Sequence, residues 1–187
     1  MPVIHHRWSA RSFADREVSG ATLAKVFEAA RWAPSSSNEQ PWRYVVGVRG
    51  SKTHEKLAGT LAGFNRAWAP QAPVLMMGVA STKFGRDERA NTYAFYDLGA
   101  ATGYLVLQAA ALGLTTHQMA GFDHETARRE LEIPGDYALG TVIALGYQGE
   151  PAALANEQLV ERETALRERK ALNAFVFDRW DHPADLI

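Results

Sequence analysis

From Leu98 to Thr116 the chain reads LGAATGYLVLQAAALGLTT, a run without a formal charge. Such a run has to leave water, into lipid or into the rest of the protein, and that choice decides the fold. A membrane helix needs about 20 predominantly apolar residues, with basic flanks that set its orientation. This run approaches that length, but Gln108 lies inside it, small residues fill it and no basic residue flanks it. It is also the one segment of this kind in a chain rich in polar loops. The sequence therefore predicts a buried central helix, from about Asn91 to Leu112, with Gly113 placed to cap its end.

The other elements have to pack around that helix. Ser19 or Thr22 can cap a helix with Leu23, Val26, Phe27 and Ala30 at helical spacing, which Pro34 ends. Trp42 to Val48 reads as a strand, Ser51 to about Leu61 as a short helix and Val74 to Ala80 as a second strand. THQMAG is a short extended piece. Asp123 caps a further helix closed by Pro134, and Gly140 to Tyr147 is an apolar run suited to a strand covered on both faces. After Pro151 the segment NEQLVERETALRERK is charged on nearly every side, with too thin an apolar stripe for a core helix. The strand-like LNAFVFDRW beyond it must pair either with its own sheet or with a partner subunit's. The expectation is a mixed α/β layer structure with one sheet. At 187 residues it should form one domain, 1–187.

Several functions are excluded early. A net charge of −1 gives no global field toward nucleic acid or an anionic membrane. The absence of cysteine rules out disulfides, thiolate catalysis and cysteine-ligated metal. No signal-peptide core occurs in MPVIHHRWSA, so a cytoplasmic setting is the default expectation. There is no G-x-G-x-x-G, and GVRGSKT has the wrong spacing for a phosphate loop. Neither His54-Glu55 nor His124-Glu125 has the second histidine that a zinc helix needs, and no G-x-S-x-G surrounds the serines. No metal site is expected.

Two stretches carry positive signals. In Arg7-Trp8-Ser9-Ala10-Arg11, alternation along an extended chain turns Arg7, Ser9 and Arg11 to one side. Two guanidiniums and a hydroxyl together suit an anion such as a phosphomonoester, although the same pattern on an exposed edge also serves solubility. The second stretch is APSSSNEQPW, Ala33 to Trp42. Its small serines would let a flat ligand approach the backbone, Asn38 offers both donor and acceptor, and the prolines restrain the segment. A polar turn that caps its neighbours would need fewer such groups.

RWSARSF followed by APSSSNEQPWRYVV resembles the nitroreductase family of FMN-dependent oxidoreductases. The later segments agree: the small-residue helix ending AAALGL, then MAGFD, IPGDYALGTVIALGYQGE and the closing RERKALNAFVFDRW. The resemblance spans nearly the whole chain. It implies an α+β fold with a central mixed, mainly antiparallel sheet flanked by helices, and a C-terminal strand exchanged in a homodimer. FMN would be the cofactor and NAD(P)H the transient reductant. Arg7, Trp8 and Ser9 would grip the phosphate and ribityl tail, with Arg11 toward the pyrimidine edge of the ring. Pro34, Ser35, Ser36 and Asn38 would line the flavin from the other subunit. Asn65 matches a flavin-bonding asparagine, and Ala120 and Gly121 match the backbone pair whose amide points at flavin N5. Arg167 and Arg169 match the basic pair on the phosphate.

In some relatives a lysine near flavin O2 stands three residues past that asparagine. Here the position is Trp68, which leaves Arg11 to favour the anionic reduced flavin. The implied chemistry is ping-pong hydride transfer to an electron-poor acceptor, with Gly121 and Arg11 closest to the reaction. Other activities of the fold (flavin breakdown, dehalogenation, ring dehydrogenation) and a non-catalytic FMN-binding dimer are the alternatives. Trp68, Tyr93, Phe95 and Tyr96 could flank the ring or serve as core and dimer contacts.

Overall fold

The structure, a computed structural model, describes residues 2–185. In chain order the elements are α1 (Pro2–His6), α2 (Gly20–Arg31), β1 (Trp42–Val48), α3 (Lys52–Thr60), β2 (Val74–Ser81) and α4 (Ala94–Ala111). They continue with β3 (Thr115–Met119), α5 (His124–Glu130), β4 (Tyr137–Gly146), α6 (Glu157–Thr164), β5 (Phe177–Arg179) and β6 (His182–Pro183).

Four strands form the central sheet in the order β1-β2-β4-β3, and each neighbouring pair is antiparallel. This agrees with the mainly antiparallel sheet expected, and no parallel pair occurs among the described residues. The reason lies in the excursion after β1: α3 and the turns that follow return the chain to the end it left, so Val48 faces Val74.

Strand β2 shows why the apolar runs lack alternation. Val74 and Met76 belong to the core on one face, Leu75 and Met77 to the core on the other. Successive side chains point to opposite faces, so a strand buried on both sides has no polar position to offer. The first core is closed by α2 and α4, through Val26, Ala30, Leu98 and Leu105. The second is closed by α3, α5 and α6, through Leu57, Ala127 and Leu159.

The central helix is buried by protein, as its composition requires: Ala94, Leu98, Ala101, Leu105 and Ala109 all face inward. It sits close to the sheet because residue 140 is glycine. A Cβ there would stand 2.8 Å from both Leu98 Cδ2 and the Gly78 carbonyl. The helix starts at Ala94 rather than Asn91, because the Asn91 side chain accepts the Tyr93 N–H in a turn (3.1 Å). No helix of the described residues is long and apolar enough to cross a membrane.

The charged segment departs from expectation. Residues 157–164 form α6, capped by Asn156, whose side chain accepts the Leu159 N–H at 2.9 Å. Two of its side chains suffice to dock it, Leu159 and Glu163, both buried and one helical turn apart. The strand-like C-terminal run does not join the four-stranded sheet. It pairs β5 with β6 in a small antiparallel hairpin.

Candidate functional site

The N-terminal segment leaves α1 at Arg7 and runs extended along the sheet's end. Thr115 of β3 donates its hydroxyl to the Trp8 carbonyl (3.1 Å), and the ring of His117 on the same strand bonds the Ala10 carbonyl (3.0 Å). Because a carbonyl only accepts, His117 Nδ1 carries the proton. Burial pushes the His117 imidazole down to about 4, with the Arg11 charge adding to the fall. Farther on, the Ser12 hydroxyl donates to the Glu150 carbonyl (2.6 Å) and the Gly149 N–H to the Ser12 carbonyl (2.9 Å).

Fixed in this way, Arg7, Ser9 and Arg11 face one cavity of about 280 Å³, together with Trp8, Arg162, Arg167 and Arg169. Arg7 Nη1 donates to Ser9 Oγ at 3.0 Å. Arg167 donates through both terminal nitrogens, to the Arg7 carbonyl and the His5 carbonyl, each at 2.7 Å. Residues 7–11 and residues 162–169, far apart in sequence, thus line one cavity. Burial, then the charges of Arg169 and Arg167, lower the Arg7 pKa from its ordinary value. Burial also lowers that of Arg11; nearby Glu163 opposes the shift and Arg162 adds to it. Crowded like charges of this kind gain most from a bound anion.

Glu163 was not visible from the sequence. Its side chain is fully buried, and Oε2 accepts the Arg11 backbone N–H at 2.8 Å and lies 4.0 Å from Arg11 Nη1. Oε1 takes the longer bonds from the Ser12 N–H and Trp8 Nε1, at 3.4 and 3.5 Å. Arg162, in the same charged segment, also lines the cavity, and its guanidinium lies 4.6 Å from the Phe64 ring centre. One sequence signal was present: a carboxylate four residues after Leu159, on the helix's single apolar stripe.

Phe64 leads to the second group. Its neighbour Asn65 donates from Nδ2 to the Gly121 carbonyl (3.1 Å), which also accepts the Ala62 N–H (3.0 Å). Ala120 and Gly121 are exposed, and among the described residues no acceptor takes the Gly121 N–H. Trp68 does not belong to this site. It is 1% exposed, packed on His117 at 4.6 Å and on Phe13 at 6.3 Å between ring centres. Tyr93, Phe95 and Tyr96 lie exposed at the start of α4.

The serine loop stands apart: among the described residues no hydrogen bond joins it to the arginine cavity. Much of its polarity is structural. Ser35 Oγ accepts the Gln40 N–H (3.0 Å), and buried Asp97 of α4 accepts the Ser36 N–H (3.1 Å). Pro34 and Asn38 are exposed, and Ser37, Asn38 and Gln40 all have positive φ, at 54°, 56° and 50°. Backbone held in that region by non-glycine residues costs about 1–3 kcal/mol each and gathers at functional sites.

The sequence profile of the nitroreductase family matches residues 4–67 and 52–147. The chain belongs to the nitroreductase family. Among its relatives in that family, an uncharacterized 15.4 kDa protein of Mycolicibacterium smegmatis is 38% identical over 75% of this chain and 99% of its own. A putative NADH dehydrogenase/NAD(P)H nitroreductase of Streptomyces coelicolor is 30% identical over 84% of this chain and 87% of its own. A solved structure of an oxidoreductase containing FMN superposes with a TM-score of 0.90, at 28% identity, over 97% of this chain and 93% of the other. The fold is also that of a putative nitroreductase in complex with FMN from Desulfovibrio desulfuricans, with a TM-score of 0.70 at 24% identity over 91% of this chain and 96% of the other.

Proposed function

We infer that this chain, as one domain over residues 1–187, is a cytoplasmic FMN-dependent NAD(P)H oxidoreductase that works as a homodimer. The observation that carries the reading is the convergence of Arg7, Ser9, Arg11, Arg167 and Arg169 on one cavity. The residues present fit the cofactor. The donor set suits a phosphomonoester, and the buried carboxylate of Glu163, close to Arg11, has both oxygens engaged by N–H groups rather than left to repel an anion. At the ring end, Gly121 leaves the space that Asn65 occupies, since a Cβ there would stand 2.8 Å from Asn65 Nδ2.

Arg7, Ser9, Arg167 and Arg169 would hold the phosphate, with Trp8 beside the tail. Arg11 would meet the pyrimidine edge, and Asn65, Ala120 and Gly121 the rest of the ring. Bound there, FMN would supply the redox chemistry, ping-pong hydride transfer through N5 from NAD(P)H to a nitroaromatic, quinone or similar electron-poor acceptor. The protein's share is position and electrostatics. Arg11 favours negative charge at the ring edge, and the free Gly121 N–H is a preorganised donor.

Pro34, Ser35, Ser36 and Asn38 of a second copy would complete the site. The separation of the serine loop from the arginine cavity within one chain supports this division. So do the exposed aromatics Trp32, Tyr93, Phe95, Tyr96 and Trp180, a quantity of apolar surface that a partner would cover.

The test is the visible spectrum of protein supplied with FMN, desalted and read anaerobically before and after NADH or NADPH. Retained flavin bands that bleach are expected. Bands that persist unbleached would remove the reductase reading and leave an FMN-binding dimer, and no retained flavin would remove the cofactor assignment.

A further inference from the structure

The buried carboxylate of Glu163 has no part in the flavin contacts just assigned, yet it touches the cradle at several points. It accepts the Arg11 N–H at 2.8 Å and, through its other oxygen, the Ser12 N–H and the Trp8 indole N–H. Its helix is short, and Leu159 is the only other side chain that α6 buries. The chain leaves α6 directly into Ala165, Leu166 and Arg167, which line the same cavity. A carboxylate placed beside an anion site is unfavourable by Coulomb's law alone, so its presence needs a compensating role. Hydrogen bonds from N–H groups to a charged acceptor are the stronger kind, and leaving the donors unpaired carries their full desolvation cost.

We propose that Glu163 is a positioning residue of the anion cradle, holding the Arg11–Ser12 backbone and the Trp8 indole so that Arg7, Ser9 and Arg11 share one cavity with Arg167 and Arg169. It ties the chain's N-terminal arginine element to the segment that delivers its C-terminal one. The backbone it grips is the one whose alternation sets the side-chain directions. Slack at Arg11 and Ser12 therefore turns Ser9 away from the anion and Arg11 away from the edge of the ring. Positioning outweighs repulsion because both carboxylate oxygens are engaged by N–H donors and the Arg11 guanidinium lies 4.0 Å from Oε2. The identity of the anion as the FMN phosphate rests on the function proposed above; the role of Glu163 in holding the cradle does not.

Two variants separate geometry from charge. Glu163→Gln keeps a carbonyl oxygen for the short Arg11 bond and removes the negative charge, whereas Glu163→Ala removes both. Flavin fluorescence titrations with FMN and with riboflavin, which lacks the phosphate, read the cradle directly. Positioning partners of this kind are worth on the order of tenfold in affinity. Glu163→Ala should therefore bind FMN about tenfold more weakly, with riboflavin weakened less, through Arg11 alone, and Glu163→Gln in between.

Amide hydrogen exchange in the flavin-free protein gives the second readout. Protection at Arg11 and Ser12 should fall in Glu163→Ala while that of β2 and β4 holds. FMN binding that strengthens or stays level in both variants overturns the proposal, because repulsion or mere packing would then describe Glu163. An equal loss for FMN and riboflavin also overturns it, as does unchanged exchange at Arg11 and Ser12. Should the wild type hold no FMN, the flavin reading falls alone, and the exchange comparison still decides whether Glu163 holds the cradle.

Discussion

Asn65 donates to the Gly121 carbonyl at 3.1 Å, across a gap that only a glycine leaves open. The contact joins the turn after α3 to the turn after β3, and it aims one amide side chain and one exposed backbone amide at the same place. Ala62 bonds the same carbonyl, so the pair is pinned from both sides.

Gly121→Ala should therefore displace Asn65 without unfolding the chain. The site is exposed, and the clash is with the end of a side chain that can turn away. We expect flavin affinity to fall by about tenfold, the loss of one or two hydrogen bonds, with the melting temperature nearly unchanged. Adding Asn65→Ala to Gly121→Ala should cost little more, since the asparagine contact is already lost. A double-mutant cycle by flavin titration measures that coupling. Strictly additive losses would mean that the two residues act separately.

His117 predicts a pH dependence of folding. Its pKa lies near 4 in the folded protein against 6.5 ordinarily. Above pH 6.5 the ring is neutral in both states and stability is full. As pH falls from 6.5 toward 4 the unfolded chain binds a proton that the folded chain refuses, so stability declines. Below about 4 both states bind it, and His117 contributes no further change. At 1.36 kcal/mol per unit the whole loss is about 3 kcal/mol. In urea titrations at pH 7.5, 5.5 and 4.5, His117→Gln should lose less stability than wild type between the first and last values. Parallel losses in both proteins would remove His117 as the source.

Trp68 stands where some relatives have a lysine, and its surroundings say what a reversal would do. The indole is packed between Phe13 and His117 and is 1% exposed. Trp68→Lys would open a cavity and bury a charge beside an imidazole that already resists protonation. Truncating a buried tryptophan costs about 3–5 kcal/mol by itself, so the variant should be largely unfolded or strongly destabilised by calorimetry. A folded Trp68→Lys protein with an altered flavin potential would place this side chain in the site after all.

The fold was legible wherever local pattern and burial agree. The caps at Ser19, Ser51 and Asp123 form as their side chains predict. The apolar runs at β2 and β4 are strands covered on both faces. The uncharged run became α4 because a helix without a polar side has to be central. In the site, the arginines could be named because their residue types match a motif. The positions of Glu163 and Arg162 could not. Their segment carries too few apolar residues to announce a docked helix, and what fixes it is a set of hydrogen bonds to residues more than 150 positions away in sequence. Long-range polar pairing of that sort leaves no periodicity. The serine loop shows the converse. Its polar density exceeds what a capping turn is expected to need, yet Ser35 and Gln40 are occupied in holding the loop's own shape.

Asp97 gives that loop its anchor on the body of the protein. It lies in the first turn of α4, is 3% exposed, and accepts the Ser36 N–H at 3.1 Å. A carboxylate there also suits the positive end of the helix. The loop carries three non-glycine residues at positive φ, a conformation that persists only while its surroundings enforce it. Asp97→Ala removes the acceptor and leaves a partly buried N–H unpaired, which should cost about 1–3 kcal/mol. Asp97→Asn keeps an oxygen in place and should cost less. Because the strain is stored locally, the loop should relax before the sheet does. Limited proteolysis should then cut Asp97→Ala between residues 35 and 40 at conditions where the wild type is intact and β2 remains protected. A drop in global stability with the loop still resistant would mean that Asp97 serves the helix alone, and that the loop is held by Ser35 and the prolines.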